Sequence, residues 1–537
     1  MSENKIGKKI LENLTRGMYE DSKIIYREYI QNSAYQIFTA IANNTFNDEL
    51  FIDIKIDAAK RNIYIKDNAT GIPRELVPEK LSNVADSEKN EEIGLGFRGI
   101  GRLGGLAYCD KLRFITTAVG DDTMTIMTWD AKELNRILDD KSIKDDATEV
   151  LRRIISYEYE PCDVNEHFFI VELINISEDN TELLSIEMVR KYIAMNAPVP
   201  FGPKFHYKHD VLNYIDSKRL PRNEYVIYVN GEDISKPYST TLYKKINDSQ
   251  KEKYDEIYTI KIKEFFTDNG EMLAWMWYGI SRFEKQIPFP LNEMAGIRLR
   301  QANIQIGNER TLAPLFKENR GNLYFVGEIH AVHKDLTPNA RRDYFNENAT
   351  INDLEAQLEY FFKEELYKTY HYANDVKNTF KKELDFYKKQ DEFERKQGKF
   401  VSVKEQQKFE KALEIAAEEK EKSLKEIAKY ESKGEDNDVL RVVFSKIKDK
   451  HKKAMNENGF DNNIKQNTPE IQDHEPTVHS KKKVFLTQEL THLAKEHQKL
   501  ISRIYEVIIQ NLPPDKSEEL ISKIQEELKH GKKSTSN

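Results

Sequence analysis

Two short runs of strict alternation, FIDIKID (residues 51–57) and NIYIKD (residues 62–67), constrain the fold of this chain more than any other feature. Successive side chains on a strand point to opposite faces, so each run reads as a half-buried strand. The four residues between them, AAKR, read as the turn of a β-hairpin. In the second run Ile63, Ile65 and Asp67 share one face. Asp67 therefore points into the interior, where a carboxylate is costly unless fixed hydrogen-bonding groups meet it.

The segment before the hairpin holds a second unusual placement. Apolar residues Ile24, Ile25, Ala34, Ile37, Phe38 and Ile41 predict a long helix, from a cap at Asp21 or Ser22 to about Asn44. Within it Glu28 and Asn32 stand one turn apart on one face. Such a pair, taken singly, is usually just solvated. After the hairpin come DNATGI (residues 67–72) and a glycine-dense segment, GLGFRGIGRLGGLAYCDKLRFITT, from Gly94. Glycines let backbone N–H groups approach an anion closely, and a helix starting near Gly101 would aim its positive end at the same place. No GKS or GKT follows, so this is not a Walker loop.

The rest of the chain alternates and then changes character. KLRFITTA, TMTIMTW and HFFIVELINI read as further strands, with acidic or helical inserts between them. A second α/β region is predicted from His206 to Glu347, with strands YVIYVNG, EIYTIKIK, MLAWMWYG, GIRLRQANIQIG and NLYFVGEIHAV. Residues 350–433 are charge-rich and helical, broken once at QGKFVS, where Gly398 stops one helix and Ser402 with Glu405 starts the next. That pattern predicts an antiparallel helical hairpin with near-heptad contacts. Residues 457–483 read as a disordered linker. A tail helix is expected over residues 487–512, halted by Pro513 and Pro514, with Leu493, Ile501, Ile504, Val507 and Ile508 on a face that nothing local covers.

Composition removes several classes. At 537 residues the chain predicts two to four domains. No apolar run approaches the roughly 18 residues of a membrane span, and the N-terminus lacks an apolar signal core, so a cytoplasmic protein is expected. Cys109 and Cys162, without a CxxC or Cys/His cluster, argue against disulfides and structural zinc. A formal net charge of -8 gives no global attraction to nucleic acid.

Glu28 with Asn32, the DNATGI turn and the glycine segment resemble, in order and spacing, the nucleotide-binding boxes of the GHKL superfamily of gyrase, heat-shock chaperone, histidine kinase and mismatch-repair ATPases. GFRGIGRLGGLAYCDKL (residues 96–112) is similar without a gap to the corresponding box of the ninety-kilodalton heat-shock chaperones. KDLTPNARRDYFNEN (residues 334–348) resembles a loop of their middle domain, with Arg342 on an arginine that reaches the γ-phosphate and Arg341 as the fallback. The resemblance covers about the first 350 residues. It implies ATP as ligand, with Asp67 accepting from the adenine amino group and Gly71 and Ile72 lying along the base. Gly94, Gly96, Phe97, Arg98, Gly99, Ile100 and Gly101 would surround the phosphates. Asn32 would hold Mg²⁺, and Glu28 would take the proton of the attacking water. Ala69 stands where the family usually has glycine, and EHFFIVEL lacks the usual Gly-Thr pair, leaving the base-side threonine without an assigned residue.

The fold class implied is α+β. A Bergerat-type α/β sandwich ATPase domain (residues 1–205) is followed by a ribosomal S5-like transducer domain (206–350), a helical hairpin or coiled coil (351–456), the linker and C-terminal helices (484–537). The leading function is an ATP-driven clamp that closes a lid over residues 94–105, dimerises through its N-terminal domain and C-terminal helices, and acts on a protein client or operon partner. Alternatives are a DNA-associated ATPase of the MORC or mismatch-repair type using the basic runs HSKKK and KHGKK, an antiphage defence component, and a non-hydrolysing scaffold whose ATP is structural. Histidine kinase activity is disfavoured, because only a short segment precedes Glu28.

Overall fold

The computed structural model describes residues 6–15, 17, 21–45, 49–84, 101–460, 490 and 493–530. Its contacts divide the chain into two units, Met1–Tyr370 and His371–Asn537. Residues 461–483 of the expected linker, the HSKKK run, most of KHGKK and residues 94–100 of the glycine segment lie outside the described residues, whereas residues 457–460 end a helix and a turn with Phe460 buried.

In the first unit, helices α1 (Lys9–Thr15) and α2 (Ile24–Ala42) precede the hairpin of β1 (Phe51–Asp57) and β2 (Asn62–Asp67). Ile54 faces Ile65 and Ile56 faces Ile63 across it, the register that alternation requires. Next come α3 (Val77–Ser82), β3 (Cys109–Thr117), β4 (Thr123–Asp130), α4 (Ala131–Asp139) and α5 (Ala147–Ile154). They are followed by β5 (Ile155–Pro161), β6 (Phe168–Ile176), α6 (Ile186–Asn196), α7 (Lys208–Ser217), β7 (Val226–Val229) and β8 (Glu232–Asp233). These strands form one eight-stranded sheet in the order β5-β4-β3-β6-β2-β1-β7-β8. All neighbours run antiparallel except β1 and β7, which run parallel.

Two expectations are corrected here. YVIYVNG was assigned to the second region, but β7 extends the first sheet by pairing with β1, burying Ile227 and Val229 in the first core. Neither Asp21 nor Ser22 caps α2: the cap position is Lys23, Asp21 accepts from the Lys23 N–H, and the Ser22 hydroxyl bonds Glu182.

The sheet's core is built in cross-strand rows. Ile63, Leu173, Leu112 and Trp129 form one, and Ile65, Val171, Phe114 and Met127 form the next, all nearly or fully buried. Each such side chain contributes about 1.5–3 kcal/mol of burial. The row beyond them, Asp67, Phe169, Thr116 and Thr125, turns polar as the sheet reaches its end.

The second sheet of this unit follows a hairpin of β9 (Thr241–Lys245) and β10 (Lys251–Glu256). Its strands are β11 (Thr259–Phe266), β12 (Met272–Ile280), β13 (Gly296–Gln301), β14 (Ile304–Ile306) and β15 (Val326–Ala331), in the order β11-β12-β15-β13-β14. Ala302 and Asn303, at φ 47° and 61°, make the two-residue turn between β13 and β14. Ile304 joins the first core, and Arg300 Nη2 donates to the Met195 carbonyl at the end of α6 at 2.8 Å. Helix α8 (Ala349–Tyr360), a π-helical turn (Phe361–Leu366) and α9 (Tyr367–Lys396) lead out of it. The division between the two units falls inside α9.

The second unit is helical. Gly398, at φ 84°, ends α9, and the Ser402 hydroxyl accepts from the Glu405 N–H to start α10 (Val403–Glu435). Tyr372 meets Tyr430, Tyr387 meets Lys420, and Phe400 lies between Phe393 and Phe409. Rising numbers on α9 meet falling numbers on α10, as an antiparallel hairpin demands. Helix α11 (Asp438–Glu457) packs on α9 through Phe380 against Phe444 and His451. Helix α12 runs Lys495–Asn511, shorter than predicted, and α13 runs Pro514–His530. The tail's apolar face does have a local cover: Leu493, Ile501, Tyr505 and Ile508 cluster with Ile521, Ile524 and Leu528 of α13. Ile504 and Val507 stay exposed.

Candidate nucleotide site

Helix α2 supplies the first wall. Its buried positions, Ile25, Tyr26, Tyr29, Ile30, Ala34 and Ile37, belong to the first core, which leaves Glu28 and Asn32 half-buried on the neighbouring face. Residues 101–107 run across this face as a short 3-10 helix, not the α-helix expected near Gly101, because GRLGGLA is too glycine-rich to favour one. Gly101 and Gly105 are bare where α2 passes. A Cβ at Gly101 would run into Glu28 Oε2, and one at Gly105 would run into the Tyr29 hydroxyl. That hydroxyl accepts from the Gly105 N–H at 3.0 Å and donates to the Arg102 carbonyl at 3.1 Å, tying the glycine run to the helix.

The DNATGI turn forms the second wall. Asp67 is fully buried, and its Oδ1 accepts from the Ala69 N–H at 3.2 Å. The left-handed position of the turn is Gly71, at φ 63°, where a Cβ would collide with the Thr117 carbonyl. Ala69 is not among the positive-φ residues, so an alanine there replaces the family's glycine without backbone strain. The turn is pinned by neighbours that sequence reasoning did not assign. Thr116 Oγ1 accepts from the Ile72 N–H at 2.9 Å and donates to the Phe168 carbonyl at 2.8 Å. His167 Nδ1 lies 2.7 Å from the Ala69 carbonyl, which makes that nitrogen the donor. Thr70 Oγ1 donates to Gln36 Oε1 at 3.3 Å, linking the turn back to α2. Phe169 stands directly across from Asp67 on the neighbouring strand and stacks on Phe114 at 5.8 Å.

The third contribution comes from the loop over residues 334–348. Its hairpin is closed by a bridge between Pro338 and Phe345, and the Arg342 carbonyl accepts from the Gly307 N–H. Arg342 is buried and sits at φ 53°, a left-handed conformation uncommon for a long side chain. Arg341 is exposed, and its carbonyl accepts from Arg27 Nη2 at 3.1 Å. The same Arg27 nitrogen lies 3.1 Å from Glu28 Oε1, with side-chain exposures of 5% and 14%. Arg27 thus joins the loop to Glu28, a role no sequence motif announced. A buried arginine beside two apolar-stripe positions was the one available signal.

Glu28, Asn32, Gly101 and the loop that carries Arg342 are therefore brought to one side of α2, and Asp67, Gly71 and Ile72 to the adjoining end of the sheet. Gly94, Gly96, Phe97, Arg98, Gly99 and Ile100 lie outside the described residues.

A mixed sheet covered by helices, a buried carboxylate at a strand end and a helix whose Glu28 faces the bare Gly101 accord with what the comparisons find. The family described as histidine kinase-, DNA gyrase B-, and HSP90-like ATPase matches residues 21–157. That match, with the similarity to HtpG below, assigns the domain over residues 21–157 to the GHKL, HSP90-like ATPase superfamily. The chain is similar to the chaperone protein HtpG of Rickettsia canadensis, 24% identical over 191 residues, covering 32% of this chain and 30% of that protein. HtpG of Salmonella paratyphi A is 25% identical over 144 residues, 23% of each chain. HtpG of Enterobacter sp. is 25% identical over 164 residues, 27% of this chain and 26% of that one. The chain spans less than a third of the length of these relatives. Among the described residues, no helix is long and apolar enough to cross a membrane.

Proposed function

We propose that the chain is a Mg²⁺-dependent ATP-binding and hydrolysing clamp of the heat-shock-chaperone-like type, which closes and dimerises on ATP and acts on a protein client or partner. The observation that carries this reading is the convergence of Glu28, the bare backbone of Gly101 and the Arg341 carbonyl around one guanidinium and one helix face. A triphosphate suits such a place: backbone stripped of side chains on one side, a carboxylate and a carboxamide on the other.

In the proposed reaction Asp67 accepts from the exocyclic amino group of adenine while Gly71 and Ile72 lie along the ring. Asn32 would offer its carbonyl oxygen to Mg²⁺, which when bound would neutralise phosphate charge. Glu28 takes a proton from a water whose oxygen bonds the γ-phosphorus as the bond to the β–γ bridging oxygen breaks, releasing ADP. Arg342 would bring a positive charge from the second sheet's side of the unit, stabilising the transferred phosphoryl group and making turnover depend on the loop being docked. The left-handed backbone at Arg342 supports this role, because strained residues gather where function requires them.

Steady-state hydrolysis tests the reading. Wild type should hydrolyse ATP slowly with Mg²⁺, Glu28→Ala should lose turnover by about 100-fold or more while still binding ATP, and Arg342→Ala should keep binding with slowed turnover. An unchanged rate in Glu28→Ala removes the base. ATP binding without any turnover in wild type would favour a scaffold in which the nucleotide is structural.

A further inference from the structure

Gln31 is a glutamine that neither the core nor the motifs explain. It is 2% exposed, yet among the described residues neither its Oε1 nor its Nε2 has a hydrogen-bond partner. Leaving a buried carboxamide unsatisfied is costly, so native proteins keep such groups where a water, an ion or a reaction engages them. Its place on α2 says which. Gln31 is three residues after Glu28 and four after Arg27, so its side chain neighbours both on the helix surface. These two residues already form the ion pair that meets the Arg341 carbonyl. Helical spacing therefore puts Gln31 on the same stretch of helix surface as the carboxylate assigned as base, on the side where Arg27 meets the second-sheet loop.

We propose that Gln31 is a positioning residue that orients the attacking water. This inference rests on the reading of Glu28 as the base. The water donates one hydrogen to the Glu28 carboxylate and the other to Gln31 Oε1, which leaves an oxygen lone pair for the γ-phosphorus. When the P–O bond forms and the bond to the bridging oxygen breaks, the proton goes to Glu28 and the electron pair leaves with ADP. Gln31 gives up no proton. It fixes the angle of attack, the part that a water-orienting glutamine plays in phosphoryl transfer.

The test uses the full chain with Gln31→Met, an apolar side chain of similar length, and Gln31→Leu as a second variant, measuring kcat, KM for ATP and thermal unfolding. Both variants should lose at least about tenfold in kcat with KM within about twofold of wild type. Their Tm should be unchanged or raised, because an unpartnered amide gives way to an apolar group. Wild-type kcat in Gln31→Met overturns the inference, as does a kcat loss matched by a weaker KM and a lower Tm, the mark of a structural residue. Failure of both variants to fold overturns it as well, since an amide without partners contributes nothing to the fold. If Glu28→Ala is inactive while Gln31→Met is fully active, only this inference fails. If Glu28→Ala keeps its turnover, the reading of the site fails first.

Discussion

Each of the two larger sheets in the first unit buries a carboxylate completely, and the two are held in different ways. Glu328, in the middle of β15, meets Arg300 Nε at 2.5 Å, Lys236 Nζ at 2.9 Å, His330 Nε2 at 3.1 Å and Trp277 Nε1 at 3.4 Å. Burial pushes Glu328 up, but Arg300 and Lys236 together hold it well below the usual carboxylate range. Burial and the nearby Arg300 bring Lys236 down to about 8 against the opposing pull of Glu328, and burial brings His330 down to about 4. Asp67, at the end of β2, instead meets the backbone of the turn that leaves its own strand and stands in a row with Thr116 and Thr125 at the sheet's margin. Burial of charge alone is thus a poor guide to a site. A carboxylate enclosed by cations from neighbouring strands is a structural rivet, whereas one at a strand end beside a glycine turn has no such cage, and the proposed function assigns it to the adenine.

The largest expected effect is at the rivet. Glu328→Gln leaves Arg300 and Lys236 as buried charges without their counter-ion, and should destabilise the first unit by about 3–5 kcal/mol. All three tryptophans, Trp129, Trp275 and Trp277, lie in this unit, so denaturant unfolding followed by tryptophan fluorescence reads it directly. A stability equal to wild type would erase the contrast with Asp67.

Acid should act on the same cluster. His330 titrates near 6.5 when unfolded and about 4 when folded, so between those values the unfolded chain binds a proton that the folded one does not. Stability is full above pH 6.5 and should fall by about 3 kcal/mol as the pH drops to 4. Glu328, whose folded value is depressed, adds a further loss as pH falls below its ordinary value of 4.5. In His330→Gln the upper part of this decline should vanish and the part below 4.5 remain. A wild-type stability that is flat from pH 6.5 to 4 would contradict the assignment.

Asp67→Asn sharpens the comparison from the other side with a smaller effect. The carboxamide oxygen can still accept from the Ala69 N–H, so stability should be unchanged or slightly raised. ATP affinity should weaken by about 10–100-fold, or roughly 1.4–2.8 kcal/mol, in equilibrium titration. A variant that lost stability and kept ATP would make Asp67 a second rivet.

These contrasts also mark what sequence could carry. Period-two alternation exposed Asp67 as an inward carboxylate and paired β1 with β2 as a hairpin, because one face of each strand is fully buried. The placement of Glu28 beside the glycine run was expected from the resemblance to the GHKL boxes, since helical spacing alone gave only a shared face for Glu28 and Asn32. What was illegible depends on pairing between distant segments. The addition of β7 to the first sheet, the pinning of the turn by Thr116 and His167, and Arg27 as the link to the Arg341 carbonyl all join residues from about 40 to more than 300 positions apart. The cover of the tail helix was misjudged for another reason: the apolar positions of α13 are few and set among charges, so its packing stripe is weak in sequence and clear only when it lies on Tyr505.

The most direct measurement is a crystal structure of the full chain with Mg²⁺ and a non-hydrolysable ATP analogue. The account predicts the base's amino group within hydrogen-bonding distance of Asp67 and the terminal phosphate within one water of Glu28, beside the backbone of Gly101. An analogue bound elsewhere, or a terminal phosphate far from residue 28, would contradict it.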